Sequence, residues 1–278
     1  MHIQLVPDGL IFDGRRPISL CLPTCFWGPS AANAFHLPEP AIEPVRSGSF
    51  VGDTVEGGSV NCFTLRLTPH GNGTHTECLG HIVDDRLSVL MMHDGRLLRV
   101  VSLTVEAVRR ADTDESYGGH QSPEDWLVTC ASLQTAWSSM NLGTKRPLDA
   151  LLIRVLWADS EPADTKFSGN NTPYFSTQAM DFLGEMLPEE GHLLTTLPSI
   201  DREDCGGNTP NHRIFWGLAA QARAAQQARY GRRLITEMVN GAVPVHDGEY
   251  VLDLQIAPFD TDAAPSRPLL YPPVDSPA

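Results

Sequence analysis

"TPHGNGTHTECLGH" (residues 68–81) gathers three histidines and one glutamate around three glycines within fourteen positions. The whole 278-residue chain has ten histidines, so three of them within twelve residues is an uneven distribution. Neutral imidazole and carboxylate are the ligands preferred by Zn²⁺, Mn²⁺ and Fe²⁺. His75 and Glu77 are two apart, so in extended chain they leave the same face, roughly 6.6 Å apart at the backbone, and can converge on one ion. His81 shares their parity, but a straight strand would carry it ~20 Å from His75. The chain must therefore curl between Cys78 and Gly80, and Gly80 makes that curl sterically cheap. His70 has the opposite parity and joins only if Gly71-Asn72-Gly73 absorbs an odd residue as a bulge or turn. The alternative is a set of polar surface or satisfied interior histidines, for which three imidazoles with a carboxylate in a glycine-rich bend are an unusual pattern.

Outward from this stretch, short strand-like runs dominate. Residues 59–68 alternate, with Phe63, Leu65 and Leu67 on one face, which predicts a half-buried strand leading into the histidine cluster. "ALLIRVLW" (residues 150–157) is nearly unbroken apolar, as expected of a strand covered on both faces. "HLLTTL", "RLITEMV", "EYVLDLQI" and "RPLLY" are further strand candidates. Ala179, Met180, Phe182, Leu183, Met186 and Leu187 sit at helical spacing, opened by Ser176 or Thr177 and ended near Pro188. Residues 217–232, rich in alanine, glutamine and arginine, predict a second helix by propensity. Strands joined by a few helices make a β-rich mixed α/β fold, here expected as a single domain over residues 1–278. The long loops at residues 23–48 and 158–172 are candidates for functional segments.

Composition narrows the function classes. There are 34 acidic against 20 basic residues, a formal charge of −14, so nucleic acid and anionic membrane are not expected partners. The amino terminus lacks the charged and apolar regions of a secretory signal, and no stretch approaches the ~20 apolar residues needed to span a bilayer, so a cytoplasmic location is expected. Six cysteines without a C-x-x-C pair do not suggest a disulfide framework. Cys21, Cys25, Cys62, Cys130 and Cys205 read as small packed thiols. Cys78, inside the histidine cluster, leaves open a cysteine-histidine nucleophile, although that would give the surrounding carboxylate and histidines no role. No G-x-S-x-G, phosphate-cradling glycine loop, dinucleotide-binding motif or H-E-x-x-H occurs. His2, His36, His93, His120, His192 and His246 read as structural or surface residues.

"GTHTECLGH" resembles the G-T-H-x-D-x-P-x-H signature of the cyclase-like metal-dependent hydrolases, which include bacterial kynurenine formamidase and isatin hydrolase. Gly73, Thr74, His75 and His81 match; Glu77 stands for the usual aspartate and Leu79 for the usual proline. His70 lies five residues before His75, one farther than in the family pattern. "ISLCLP" is similar to the family's opening strand, and "FWGPSAANAF" falls where members carry an aromatic loop. "PSIDRED", His212 and Glu237 resemble the later ligand-bearing segment, lengthened here by the expected helix at 217–232. "DLQIAPFDTDAAPSRPLLY" resembles the carboxy-terminal strands.

The resemblance implies a swivelling β/β/α-type fold, usually homodimeric, holding one or two divalent ions, zinc or manganese. It implies His70, His75, Glu77, His212 and Glu237 as ligands and His81 as the acid/base. Glu237, flanked by Ile235 and Val239 at strand spacing, would be a buried carboxylate that needs a cationic partner. The expected activity is hydrolysis of an amide, formamide, lactam or related carbonyl compound, arylformamidase-like, with Phe26, Trp27 and Phe35 as aromatic walls for a small, aromatic substrate. Two other readings are a cupin-like non-haem iron oxygenase, using His75 and Glu77 with a remote histidine, and a metal-stabilised ligand-binding protein without turnover.

Overall fold

The computed structural model describes residues 2–5, 11–28, 32–140, 148–158 and 166–274. Its main sheet has eight strands: β1 (Ile18–Ser19), β2 (His75–Glu77), β3 (Leu98–Glu106), β4 (Ala150–Leu156), β5 (His192–Thr195), β6 (Leu234–Glu237), β7 (Gly248–Ile256) and β8 (Ala263–Tyr271). In space they run β7-β3-β4-β5-β6-β2-β8, with β8 pairing back onto β7 to close a barrel-like ring and β1 pairing with the far half of β8. Strands β3 to β6 are mutually parallel, and β2, β7 and β8 are joined by antiparallel pairings. Among the described residues, three helices accompany the sheet: α1 (Cys130–Ser139), α2 (Thr177–Met186) and α3 (Pro210–Trp216). This is the β-rich α/β architecture that the resemblance implies.

Closure explains the apolar run in β4. Leu151, Ile153 and Val155 point outward into a cluster with Leu133 of α1, Met180 and Leu183 of α2, and Phe215 and Trp216 of α3. Ala150 and Leu152 point the other way, into a second cluster with Val100, Leu194, Leu252 and Leu270. A strand with packed layers on both faces has no polar side, so the period-two signal disappears. The expected helix over 177–186 is α2, with the Ser176 hydroxyl accepting the Ala179 amide at 2.9 Å as its cap. β3 and α1 are additional elements beyond those expected from sequence.

Two expectations need correction. Residues 217–232 do not form a helix: they are turns with one 3₁₀ turn at Ala225–Gln227. The α3 helix lies just upstream and stops at Gly217, whose φ is 63°. The Trp216 and Gly217 carbonyls then accept the Tyr230 and Arg229 amides, while the Arg213 guanidinium takes the carbonyls of Ala219 and Ala222. These tertiary bonds outweigh a propensity advantage of a few tenths of a kcal/mol per residue. Residues 59–68 form a strand only at Phe63–Arg66, paired with Ala41–Pro44 in a separate two-stranded ribbon. Leu65 is 52% exposed, so the alternating face is not covered along its length by the described residues. The loop expected at 158–172 is described only in part, and 159–165 lie outside the described residues.

The barrel interior also contains a buried polar chain. His192 Nε2 meets Thr236 Oγ1 at 2.7 Å, Thr236 meets Thr76 at 2.7 Å, and Thr76 donates to Ser266 at 2.9 Å. Burial pushes the His192 imidazole down to about 3, with His93 adding to the effect. The folded protein thus holds His192 neutral, whereas the unfolded chain takes up a proton near the ordinary histidine value. Stability through this group is therefore present above pH ~6.5 and declines as pH falls, by up to ~1.4 kcal/mol per pH unit. His192→Gln is expected to flatten the fall in urea-unfolding free energy between pH 6 and pH 4 relative to wild type. Parallel curves for the two proteins would rule out a neutral buried His192.

Candidate metal centre

The stretch 68–81 folds as a sequence of short corners around one strand. His70 sits in a 3₁₀ turn at Pro69–Gly71, β2 carries His75 and Glu77, and His81 ends a second 3₁₀ turn at Leu79–His81. The odd offset of His70 is absorbed by this first turn and by Gly73, whose φ is 143°. A Cβ at Gly73 would lie 2.7 Å from the Leu22 carbonyl oxygen, so the corner requires glycine. Thr74 then locks three segments together. Its hydroxyl accepts the Leu22 amide at 2.7 Å and donates to the Met238 carbonyl at 2.6 Å.

Strand register supplies Glu237, which lies opposite His75 across the β2–β6 pairing. Helix α3 supplies His212. All six expected donors meet: His70 Nδ1 is 3.1 Å from Glu77 Oε2, His212 Nε2 is 3.0 Å from Glu77 Oε1, and His75 Nε2 is 3.5 Å from Glu237 Oε2. His81 Nε2 lies 4.0 Å from Glu77 Oε2. Two groups, His70 with Glu77 and His81, and His75 with Glu77 and Glu237, each bring their donor atoms within 4.8 Å of one another. Glu77 belongs to both. Two further carboxylates, not singled out in sequence, join them. Asp201 Oδ2 accepts His212 Nδ1–H at 2.6 Å, and Asp262 Oδ2 lies 2.9 Å from His70 Nε2. Both sit in segments that carry the family resemblance, but their own signal is a single acidic residue in an acidic chain.

His75 and Glu77 are wholly buried, and Glu237 and His212 are nearly so. The Nδ1–H of His75 donates to the Gly73 carbonyl at 3.1 Å, and that of His212 to Asp201, so in the neutral rings both Nε2 lone pairs face inward. Those two Nε2 atoms and both oxygens of Glu77 are buried and make no well-angled hydrogen bond, although His212 Nε2 and His70 Nδ1 lie 3.0 and 3.1 Å from the Glu77 oxygens. Four orphaned donor atoms facing one space fit a divalent cation. The electrostatics agree. Burial resists charge at His212, yet Glu77 and Asp201 raise it well above the usual histidine range. His70, likewise against the effect of burial, is pushed up to about 10 by Asp262 and Glu77. Glu77 is held well below the carboxylate range by His81, His212 and His70, although burial opposes this. The carboxylates demand positive charge, and a metal would displace protons to provide it.

Trp27 is 68% exposed and stacks edge-on against Phe63 at 5.4 Å. Phe35 packs on a cluster of Leu22, Ala32, Ala34, Phe167 and Met238, and Phe26 is half-buried on the loop between them. Cys78 is buried with Val89, Leu234 and Ala264, and burial pushes its thiol up to about 12. A thiol so disfavoured as thiolate is a poor nucleophile. All six cysteines are free; Cys62 is exposed rather than packed. No helix among the described residues is long and apolar enough to cross a membrane.

Residues 21–202 match the sequence profile of a family described as "Putative cyclase". The chain belongs to this family. The match takes in the β2 stretch with His70, His75, Glu77 and His81, while His212, Glu237 and Asp262 of this cyclase-family chain lie beyond it. No curated protein matches the sequence. Among solved structures, a predicted metal-dependent hydrolase from Bacillus stearothermophilus is similar with a TM-score of 0.56 at 13% identity, covering 92% of this chain and 98% of that one. Isatin hydrolase A from Labrenzia aggregata, bound to benzyl benzoate, gives 0.55 at 13% identity, covering 93% and 94%. Isatin hydrolase A from Ralstonia solanacearum gives 0.54 at 14%, covering 92% and 91%. At these identities the likeness is one of fold.

The Thr74 junction has a measurable cost. Thr74→Val keeps the shape but leaves the Leu22 amide and the Met238 carbonyl without the hydroxyl, and is expected to lower the unfolding free energy by roughly 2–4 kcal/mol. Thr74→Ser should recover most of it. Chemical denaturation with an unchanged m-value for all three proteins is the measurement; a valine variant as stable as wild type contradicts the assignment.

Proposed function

We propose that this cyclase-family protein is a metal-dependent hydrolase acting on a non-peptide C–N bond of a small carbonyl compound: an amide, formamide or lactam, with arylformamidase-like chemistry. The observation that carries it is the set of orphaned inward-facing donors, His75 Nε2, His212 Nε2 and the Glu77 carboxylate, closed off by Glu237 and His70. One or two divalent ions, zinc or manganese, fit these nitrogen and oxygen ligands. Such an ion lowers the pKa of water towards neutrality and polarises a carbonyl group.

The chain's own residues do the rest. His70, His75, Glu77, His212 and Glu237 would hold the cation, with Glu77 common to both donor groups. His81, 29% exposed at the rim, turns Nε2 towards Glu77 and is the base that takes a proton from the attacking water. Its imidazolium then returns that proton to the leaving nitrogen. Phe26, Trp27 and Phe35 are proposed as the aromatic wall, since their loop leaves the chain at Leu22, which pairs with Thr74 beside His75. Three of the similar folds carry the name isatin hydrolase, which supports a cyclic or aryl amide. We further propose a homodimer, for which the exposed Val55, Val60 and Leu65 offer apolar surface, and a cytoplasmic setting, which the six free thiols suit. Membership of the cyclase family removes the basis for a cupin-like oxygenase.

Protein purified from divalent-metal medium is expected to carry at least one ion per chain by elemental analysis and to hydrolyse a member of a panel including N-formylkynurenine and isatin. His81→Ala should keep the metal and lose turnover by about 10²–10⁴-fold. Activity that survives complete chelation would refute the proposal, and a metal-loaded wild type inert across the panel would favour a ligand-binding role.

A further inference from the structure

His70 and His81 lie nearly stacked, with ring centroids 4.3 Å apart and planes 33° from parallel. Each ring spans the same two carboxylates. His70 turns Nδ1 to Glu77 and Nε2 to Asp262, at 3.1 and 2.9 Å. His81 turns Nε2 to Glu77 and Nδ1 to Asp262, at 4.0 and 3.5 Å. A neutral imidazole has one N–H and one lone pair, and an ionised carboxylate can only accept. If both lone pairs are to face the interior, both N–H groups must face outward, and a single oxygen, Asp262 Oδ2, stands at that edge of both rings.

The position of Asp262 is built into the fold. It directly precedes β8, whose Ala263 lies opposite Glu77 in register, and its carbonyl accepts the Cys78 amide at 2.9 Å. Gly80 leaves room for it, since a Cβ there would lie 3.2 Å from Asp262 Cβ and 2.7 Å from the Leu87 carbonyl oxygen. The glycine that lets the chain curl toward His81 thus also admits the carboxylate that faces it.

We propose that Asp262 is a positioning residue that fixes the tautomers of two imidazoles at once, presenting His70 Nδ1 as a metal ligand and His81 Nε2 as the base. This rests on reading the centre as that of a metal-dependent hydrolase. Asp262 is not itself a ligand: it lies on the side of both rings away from Glu77.

The test uses the full chain loaded with zinc. Chelator competition reads the zinc Kd, and long-range ¹H–¹⁵N spectra of the histidine rings read the tautomers without any substrate. Asp262→Ala is expected to weaken zinc binding by about 10–100-fold. It should also replace the defined Nδ1–H signal of His81, which is not a ligand, with an averaged one, and lower kcat more than it raises KM. Asp262→Asn, which keeps an acceptor oxygen without the charge, should fall between the two and serves as the test if the alanine variant fails a circular-dichroism check of folding. Unchanged zinc Kd and unchanged tautomer signals in these variants overturn the proposal. Wild-type protein that binds zinc with the stated tautomers but hydrolyses nothing sinks the hydrolase reading while leaving the role of Asp262 standing.

Discussion

The Glu77 carboxylate has no solvent on either oxygen, and an ionised carboxylate taken out of water costs several kcal/mol unless cations or donors meet it. Its location follows from β2, a three-residue strand held between β6 and β8. With partners on both edges, β2 turns Thr76 towards Thr236 and Ser266 in the barrel, and Glu77 on the opposite face towards His212 of α3. The imidazoles of His70, His81 and His212 gather around Glu77 because a buried anion has to be answered by positive charge or by something that carries it. Most of the local geometry of the centre is a response to that requirement.

The neighbouring structure supports the donors as much as the donors themselves. Asp201 accepts the His212 ring N–H, the Tyr117 hydroxyl and the amides of Asn211 and His212, so one carboxylate both orients the imidazole and caps the start of α3. Glu237 Oε1 accepts the Ile200 amide at 2.9 Å. Thr74 joins the β2 stretch to the aromatic loop and to the residue after Glu237. The two Thr74 bonds link groups 52 and 164 positions apart, which makes the centre a property of the closed barrel and not of any one segment.

Much of this was legible in the sequence because it depends on local stereochemistry. The parity of His75 and Glu77, the need for a curl before His81 and the glycine corner after His70 all follow from chain geometry over fourteen residues, and each is present. The apolar run of β4 and the cap and spacing of α2 were readable for the same reason. The helix expected at 217–232 failed because alanine-rich composition expresses a weak local preference, while Arg213 and the Trp216 and Gly217 carbonyls offer that backbone tertiary partners. The strand expected at 59–68 shrank to Phe63–Arg66, and the covered face that its alternation signals is met at Phe63 but not at Leu65.

By itself, then, the sequence determined which side chains could bind a cation and which backbone corners could bring them near one another, since residue type and short-range dihedral freedom are local quantities. Only the tertiary structure decided that Glu237 faces His75, that α3 carries His212 inward, and that Asp201 and Asp262 stand behind the imidazoles. Strand register and ring closure fix those meetings, and both arise from contacts between residues far apart in the chain, where a lone aspartate in an acidic sequence leaves no pattern to read.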